Sequence, residues 1–413
     1  MAPADLRPCL STPRRTHQGA GMAVRSNEAE NILKAVREIV PTLRANGVAS
    51  EDQRWIVQEN IDLLEKAGVF RIAVPKRFGG LDLSLKEQVE IITEISRGCG
   101  STGWVAVAWI SSAWMATLYP LQAQEEIFRG GSVRISGGFT PTAKMVPTEG
   151  GYLLTGAWRF NSGVRGAHWD LLAAELEHAD GSVEEVYAMV PVDQLQIADD
   201  WHVSAAIATG SSTSSATDLF VPGHRVVTLE NAVLGTSGGG AVTGSQGRDY
   251  SLISFVVAES VAVYIGMARA AHEELVATVK GKPLAYSNVT DQAQHPLTQI
   301  QVALAHSKIE AAEALAETYL GFLQERADAG EQPTWEEKAE VRGKAGAAIL
   351  LTQEALEALH SVSGAGSLSR KAPFQRFYRD LQGLARHGLM APNMGLEVYG
   401  RTLLGLDPDS LFL

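Results

Sequence analysis

The spacing of apolar residues changes twice along this chain, and these changes limit the folds it can adopt. Over residues 26–130 apolar residues recur every three or four positions, which predicts helices. Over residues 133–227 short apolar runs are divided by Gly, Asp and Pro, which is typical of strands in an antiparallel sandwich or barrel. From 250 to 399 the helical period returns in long helical segments (252–279, 297–326, 334–362 and 373–399) that should pack as a bundle. We therefore predict an α+β, mainly α chain with a disordered extension (1–25), an N-terminal helical domain (26–132), a β domain (133–230), a flexible loop (231–248) and a C-terminal four-helix bundle (249–413).

Charge and cysteine content limit the partners and the compartment. The 35 Lys and Arg against 47 Asp and Glu give a net charge of −12, and no basic run is interleaved with aromatics, so nucleic acid and an anionic membrane are both disfavoured. No segment was expected to reach the roughly 18 apolar residues of a membrane helix. The first 22 residues lack the apolar core of a secretory signal. With only Cys9 and Cys99, no disulfide framework is available, which favours the cytoplasm.

Motifs of other enzyme classes occur only in the wrong context. The nearest approach to a dinucleotide-binding turn, GAGSLS at 364–369, lies between predicted helices. The run 235–239 matches GxSxG, but no strand precedes it and no helix follows directly. The ten histidines are scattered, and His272-Glu273 lacks the second histidine of HExxH, so no metal site is predicted.

The stretch GAWRFNSGVRGAHW, residues 156–169, is the most informative short segment. A strand with two large aromatics, Trp158 and Phe160, ends abruptly at Ser162-Gly163. The aromatics can be core residues followed by a plain turn. Alternatively, a flat cofactor lies against them, with Ser162 touching its reactive edge. The residues alone leave both interpretations open.

Four segments together resemble a known family. They are VPKRFGGLDLSLKEQVEIITEISRGCGSTGW (74–104), TEGGYLLTGAWRFNSG (148–163), ATDLFVPGHRV (216–226) and PFQRFYRDLQGLARH (373–387). In these segments and in domain order, residues 27–405 resemble the acyl-CoA dehydrogenase fold, and within it the two-component (group D) flavin-dependent monooxygenases.

The resemblance implies an enzyme that hydroxylates an aromatic or heteroaromatic substrate of phenol, polyketide or indole type through a C4a-hydroperoxyflavin. It implies reduced flavin (FADH2 or FMNH2) and O2 as reactants, and a separate NAD(P)H:flavin reductase, because this chain has no recognisable nicotinamide site. A homotetramer or homodimer is also implied. Two alternatives stay open: an acyl-CoA dehydrogenase-type oxidoreductase and a non-catalytic flavin-binding scaffold.

The resemblance also assigns candidate cofactor residues. Ser162 would lie at flavin N5, where a small hydrogen-bonding group in a water-excluding pocket protects the oxygenated flavin. The turn at Gly364 and Gly366 would contact the flavin of a neighbouring subunit, although a helix-capping turn explains these glycines equally well. Where dehydrogenases carry a phosphate-binding Arg, this chain offers Lys280, Lys282 and Ser287, so FAD and FMN both remain open. The remaining expected cofactor contacts are Phe139, Thr140, Pro141, Trp158 and Phe160.

His387 is the second candidate catalytic residue. The dehydrogenase glutamate has no counterpart, since no acid occurs between Asp380 and Glu397. A histidine there could orient the substrate or take a phenol or indole proton. A buried, all-round apolar helix over 101–118 would supply the substrate contacts, unless its residues are ordinary core. The candidates on it are Trp109, Ser111, Ser112, Trp114 and Met115.

Overall fold

The computed structural model describes residues 25–234, 244–410 and 412–413. Helices, a sheet and a second set of helices follow one another in chain order, which confirms the predicted architecture. Residues 1–24, with Cys9, and the GxSxG run at 235–239 lie outside the described residues. The N-terminal helices are α1 (Asn27–Ala45), α2 (Gly47–Asp52), α3 (Gln58–Lys66), α4 (Leu85–Gly98), α5 (Gly100–Met115) and α6 (Leu121–Ile127).

Helix α5 is the central helix of the N-terminal part. Every residue of α5 except Ala108 is buried, because α4, the sheet and the second helical part all pack against it. Helix α4, its neighbour, begins at a capping box in which Ser84 accepts a hydrogen bond from the Glu87 backbone and the Glu87 side chain accepts from the Ser84 backbone. Helix α5 therefore has no solvent-facing side, as its all-round apolar sequence predicts.

The strands among the described residues are β1 (Ile135–Thr148), β2 (Gly151–Asn161), β3 (Trp169–Glu177), β4 (Val183–Pro191), β5 (Gln196–Ile197), β6 (Ser212–Pro222) and β7 (Val226–Thr228). They form one mixed sheet in the order β5-β6-β2-β1-β3-β4-β7. The β1–β2 hairpin turns at Gly150, whose φ of +77° favours glycine. One pairing differs from the expected antiparallel arrangement. After β2 the chain passes around the start of β1, so β3 runs parallel to β1, with Ile135 opposite Trp169.

The C-terminal part differs from the sequence prediction in two places. The expected flexible loop begins with a short helix, and beyond residues 235–243 the Arg248 Nε donates to the Asp82 carbonyl over 3.0 Å. The single helix expected over 373–399 is two helices, because Pro392 starts a new helix after a turn at residues 385–391. The helices are α7 (Leu229–Leu234), α8 (Leu252–Val279), α9 (Pro296–Asp328), α10 (Trp335–His360), α11 (Pro373–Leu384) and α12 (Pro392–Leu403).

Helix α8 is long and apolar enough to cross a membrane, which corrects the expectation that no segment would be. However, 89% of its most apolar window is buried inside the protein. It contacts α4, α5, α10 and α11 and belongs to the core cluster that joins both helical parts to one face of the sheet. The far face of the sheet closes on a smaller core of its own.

Candidate active site

Ser162 lies where β2 ends and the chain turns toward β3. The next residue, Gly163, has φ +81°, and its carbonyl accepts a hydrogen bond from Trp109 Nε1 over 3.1 Å. A Cβ at this position would lie 2.6 Å from Trp109 Nε1, so a side chain fits neither the backbone conformation nor the space. The glycine therefore holds Ser162 closely against α5.

The Ser162 hydroxyl is half-buried and has two partners. It accepts a hydrogen bond from Trp104 Nε1 over 3.0 Å and lies 2.8 Å from Ser211 Oγ. Both partners are buried, with 7% and 4% exposure for Trp104 and Ser211. A serine oxygen has one proton and two lone pairs, so two bonds leave one valence for a ligand.

His387 lies in the turn after α11 rather than in a helix, and it contacts the same indole. Its ring packs edge-on to Trp104, with the ring centroids 5.4 Å apart. The imidazole is solvent-accessible and makes no hydrogen bond to any described residue. Nearby protein still removes part of its hydration, and this desolvation lowers its pKa. At neutral pH it is therefore a neutral imidazole that can accept a proton.

The turn that carries His387 is held from α8. The Leu384 carbonyl accepts hydrogen bonds from the Tyr264 hydroxyl over 2.7 Å and from the His387 backbone over 2.9 Å. Tyr264 also packs edge-on to Trp104, at 6.4 Å between ring centroids. The two residues that the sequence pattern predicts to be catalytic thus both contact one indole, that of Trp104.

Asp380 links α11 to the loop that carries Ser211. Its carboxylate is 1% exposed, and it accepts hydrogen bonds from the Ala206 backbone over 2.7 Å and from Ser101 Oγ over 3.1 Å. Burial raises the pKa of this carboxyl to about 6. The contacts join residues 174 and 279 positions apart, so no local sequence pattern signals them.

The aromatic residues expected against the flavin divide into two groups. Trp158 is 1% exposed, donates to the Ala173 carbonyl over 2.7 Å and belongs to the core on the far face of the sheet, so it has no face free for a cofactor. Phe160 and Phe139 are 70% and 41% exposed. Thr140 is exposed and Pro141 half-buried, beside the end of β2. The open aromatic surface is therefore Phe139 and Phe160.

The five substrate residues expected on α5 are core residues. Trp109 is fully buried, Ser111 donates to Glu259 over 2.5 Å, and Trp114 stacks on Phe255 at 4.1 Å between centroids. Since α5 is covered on every side, its second half has no surface for a ligand. The α5 side chain that reaches Ser162 and His387 is Trp104. The five residues, Trp109, Ser111, Ser112, Trp114 and Met115, are all 5% exposed or less.

The glycine turn at 364–366 is exposed and lies beside one of the expected phosphate-binding residues. Gly364 has φ +73° and ψ 169°, and Lys282 Nζ donates to the neighbouring Ser363 carbonyl over 3.3 Å. A Cβ at Gly364 would lie 3.6 Å from the same ammonium, whereas a Cβ at Gly366 meets nothing within 4 Å. Ser287 instead donates to the Leu284 carbonyl. The structure thus brings Lys282 and the glycine turn together.

Comparison with known proteins decides the family. Residues 26–126 match the N-terminal domain and residues 258–392 the C-terminal domain of acyl-CoA dehydrogenases. The chain is 30% identical over 397 residues to the oxygenase component of an FADH2-dependent resorcinol hydroxylase from Rhizobium sp., covering 92% of this chain and 96% of that one. It belongs to the two-component flavin-dependent monooxygenases of the acyl-CoA dehydrogenase fold.

Two further comparisons agree with this family. The oxygenase subunit HsaA of Mycobacterium tuberculosis is 28% identical over 388 residues, 94% of this chain and 98% of that one. The solved structure of XiaF from Streptomyces sp. with FADH2 and glycerol superposes with a TM-score of 0.87 at 26% identity, covering 93% of this chain and 98% of that one. As a member of this family, the protein is an enzyme that uses reduced flavin and O2.

The chemistry of the site fits a reduced flavin. Ser162 presents a free valence on a half-buried oxygen, suited to a ring nitrogen. Phe139 and Phe160 offer open aromatic faces, and Lys282 beside a glycine turn suits a phosphate. The chain has no counterpart of the dehydrogenase glutamate, which leaves acyl-CoA oxidation without its base.

Proposed function

We propose that this protein hydroxylates a small phenol, with Ser162 on the flavin side and His387 on the substrate side of one site. The observation that carries the proposal is that both residues contact the Trp104 indole, through a 3.0 Å hydrogen bond and a 5.4 Å ring contact. A bound reduced flavin supplies the electrons that activate O2. The protein supplies Ser162 beside the flavin, His387 as the base, and the apolar ring of Trp104 that contacts both.

The neutral imidazole of His387 favours a phenol as the substrate. A phenol becomes more electron-rich as it loses its proton, and a neutral histidine within reach can take that proton. The relatives named for resorcinol and for p-hydroxyphenylacetate hydroxylation act on phenols. Trp104 places an apolar ring against both Ser162 and His387, and excluding water there would protect reactive species from side reactions.

We also propose a separate reductase and an assembly of subunits. Relatives are named as oxygenase components, which fits a partner that reduces the flavin elsewhere. The exposed turn at Gly364, with Lys282 beside it, would contact the flavin of a neighbouring subunit in a homodimer or homotetramer in the cytoplasm. Lys282 would pair with a flavin phosphate.

The test is single-turnover oxidation with flavin reduced anaerobically, then mixed with O2 and a panel of phenols. We expect product formation in the wild type. Ser162→Ala and Trp104→Phe should release more hydrogen peroxide per product, whereas His387→Gln should slow hydroxylation itself. Ser212→Ala is the matched control, because its hydroxyl contacts Arg165 instead.

Two outcomes would contradict the proposal. Binding of reduced flavin without oxygen consumption in the presence of any phenol would indicate a scaffold. Bleaching of bound oxidised flavin by an acyl-CoA thioester would indicate a dehydrogenase.

A further inference from the structure

Ser162 is the last of three hydroxyls connected by hydrogen bonds. Ser162 Oγ lies 2.8 Å from Ser211 Oγ, and Ser211 Oγ lies 2.7 Å from Thr209 Oγ1. Thr209 Oγ1 in turn lies 2.9 Å from the Ala206 carbonyl, to which it donates. Thr209 and Ser211 are 0% and 4% exposed, so water cannot replace these partners. The chain, called here the hydroxyl relay, runs from the protein interior to the half-buried Ser162.

Counting protons gives the relay a direction. Each hydroxyl has a single proton. If Thr209 donates to the Ala206 carbonyl, the proton between Thr209 and Ser211 must come from Ser211, and the proton between Ser211 and Ser162 must come from Ser162. In this inward direction all three protons have acceptors within the protein. In the reverse direction the Ser162 proton points into the site and the bond from Thr209 to Ala206 is lost.

The two ends of the relay determine what the inward direction presents to the site. The Ala206 backbone is held by Asp380, which accepts its N–H over 2.7 Å. At the other end Trp104 Nε1 can only donate, and it occupies one lone pair of Ser162. With its proton directed at Ser211, Ser162 has one free valence, and that valence is a lone pair. The site therefore offers an acceptor rather than a donor.

We propose that the hydroxyl relay selects the redox state of the flavin, with Thr209 and Ser211 as positioning residues. This inference rests on the proposed function, in which Ser162 meets flavin N5. Reduced flavin has a hydrogen on N5 and can donate to the free lone pair. Oxidised flavin has only a lone pair on N5, so it repels the Ser162 oxygen unless the relay reverses and loses a hydrogen bond. An oxygenase supplied by a separate reductase gains from this, because spent flavin leaves and reduced flavin enters.

The test is the ratio of two dissociation constants, Kd for oxidised over Kd for reduced flavin. It is measured by anaerobic ultrafiltration with FAD and again with FMN, each oxidised or reduced by dithionite. We expect a wild-type ratio above one. Thr209→Val removes the inward acceptor of Ser211, and Ser211→Ala removes that of Ser162. Either change frees the Ser162 proton, so the ratio should fall about fivefold, the worth of one net hydrogen bond, mainly through tighter binding of oxidised flavin.

Conservative variants separate the relay from simple damage to the fold. Thr209→Ser keeps the hydroxyl and should keep the wild-type ratio, and Ser212→Ala changes a neighbouring hydroxyl that contacts Arg165 outside the relay. A misfolded variant would weaken binding of both flavin forms and leave the ratio unchanged.

The possible failures are distinguishable. A wild type that binds reduced flavin with a ratio near one overturns the relay alone, as does an unchanged ratio in both folded Thr209→Val and Ser211→Ala. A wild type that binds neither flavin form overturns the proposed function and the relay together.

Discussion

At the scale of single residues, the candidate site is organised around Trp104, which contacts both Ser162 and His387. Its indole N–H donates to Ser162, and its ring edge contacts His387. Neither contact is visible in the sequence, because an all-round apolar helix does not reveal which of its side chains reaches the site. The resemblance to the family indicated Ser162 and His387. Thr209 and Ser211 lie in the polar run ATGSSTSS (208–215), where nothing in the sequence distinguishes them from their neighbours.

Phe160 shows why a regular strand pattern failed for its neighbour Trp158. Residues two apart on a strand share a face, yet Trp158 is buried and Phe160 is exposed. The cause is local: Phe160 has φ +63°, and the pairing of β2 with β6 shifts between Trp158 and Asn161. A bulge of this kind redirects a side chain, and it is not predictable from residue types alone.

His387 should set the acid limb of the pH profile. Partial desolvation lowers its pKa, so the neutral imidazole is the dominant form above that lowered value. We expect the hydroxylation rate to rise with pH through an apparent pKa below 6.5 and to be level at pH 7–8. In His387→Gln that limb should disappear along with most of the rate. A wild-type midpoint above 7, or an identical limb in the glutamine variant, would contradict this assignment.

At the scale of elements, the contact between α5 and α8 contains a buried acid. Glu259 on α8 is 0% exposed, accepts from Ser111 over 2.5 Å and has its second oxygen without a partner. Burial raises its pKa to about 8. The carboxyl is thus mainly protonated at neutral pH, and it packs as a neutral group between two apolar helices.

This acid should make the stability of the fold depend on pH. The pKa of Glu259 is higher in the folded than in the unfolded protein, so the protonated carboxyl contributes its full stabilisation of the fold below about pH 4.5. This stabilisation is lost as the pH rises toward 8, at up to about 1.4 kcal/mol of unfolding free energy per pH unit. Glu259→Gln should nearly match the wild type in urea unfolding at pH 4 and exceed it at pH 8.5. The exposed Glu230→Gln is the control and should shift neither value. Equal free energies of unfolding at pH 8.5 would show that Glu259 is already ionised at low cost.

At the scale of the whole molecule, the sequence predicts the order of helices, sheet and helical bundle, but not how the elements connect. Periodicity alone separates helices, sheet and bundle, because each architecture imposes its own spacing of apolar residues. The parallel pairing of β3 with β1 and the break between α11 and α12 depend on tertiary contacts and on one proline. The His387 turn occurs at that break, so the helix boundary that the sequence pattern did not predict carries the residue we propose as the base.

The glycine turn should couple flavin binding to assembly. Gly364 has φ +73° and ψ 169°, a conformation that costs other residues about 1–3 kcal/mol. If the turn contacts a neighbour's flavin, Gly364→Ala should weaken flavin binding in concentrated protein and have no effect after dilution to monomer. Gly330→Ala, at another exposed glycine with positive φ (+68°), is the control and should leave flavin binding unchanged at every protein concentration. Flavin affinity that is independent of protein concentration would exclude a shared site.

Helix α11 is connected to both proposed parts of the site. Its Asp380 binds the Ala206 end of the hydroxyl relay, and the turn that follows the helix carries His387. A rigid rod with two attachments transmits any tilt to both. Engineering that enlarges the substrate side by displacing this helix should therefore also weaken discrimination between reduced and oxidised flavin. Variants selected for new phenols should accumulate compensating changes around Asp380, about one turn before the end of the same helix.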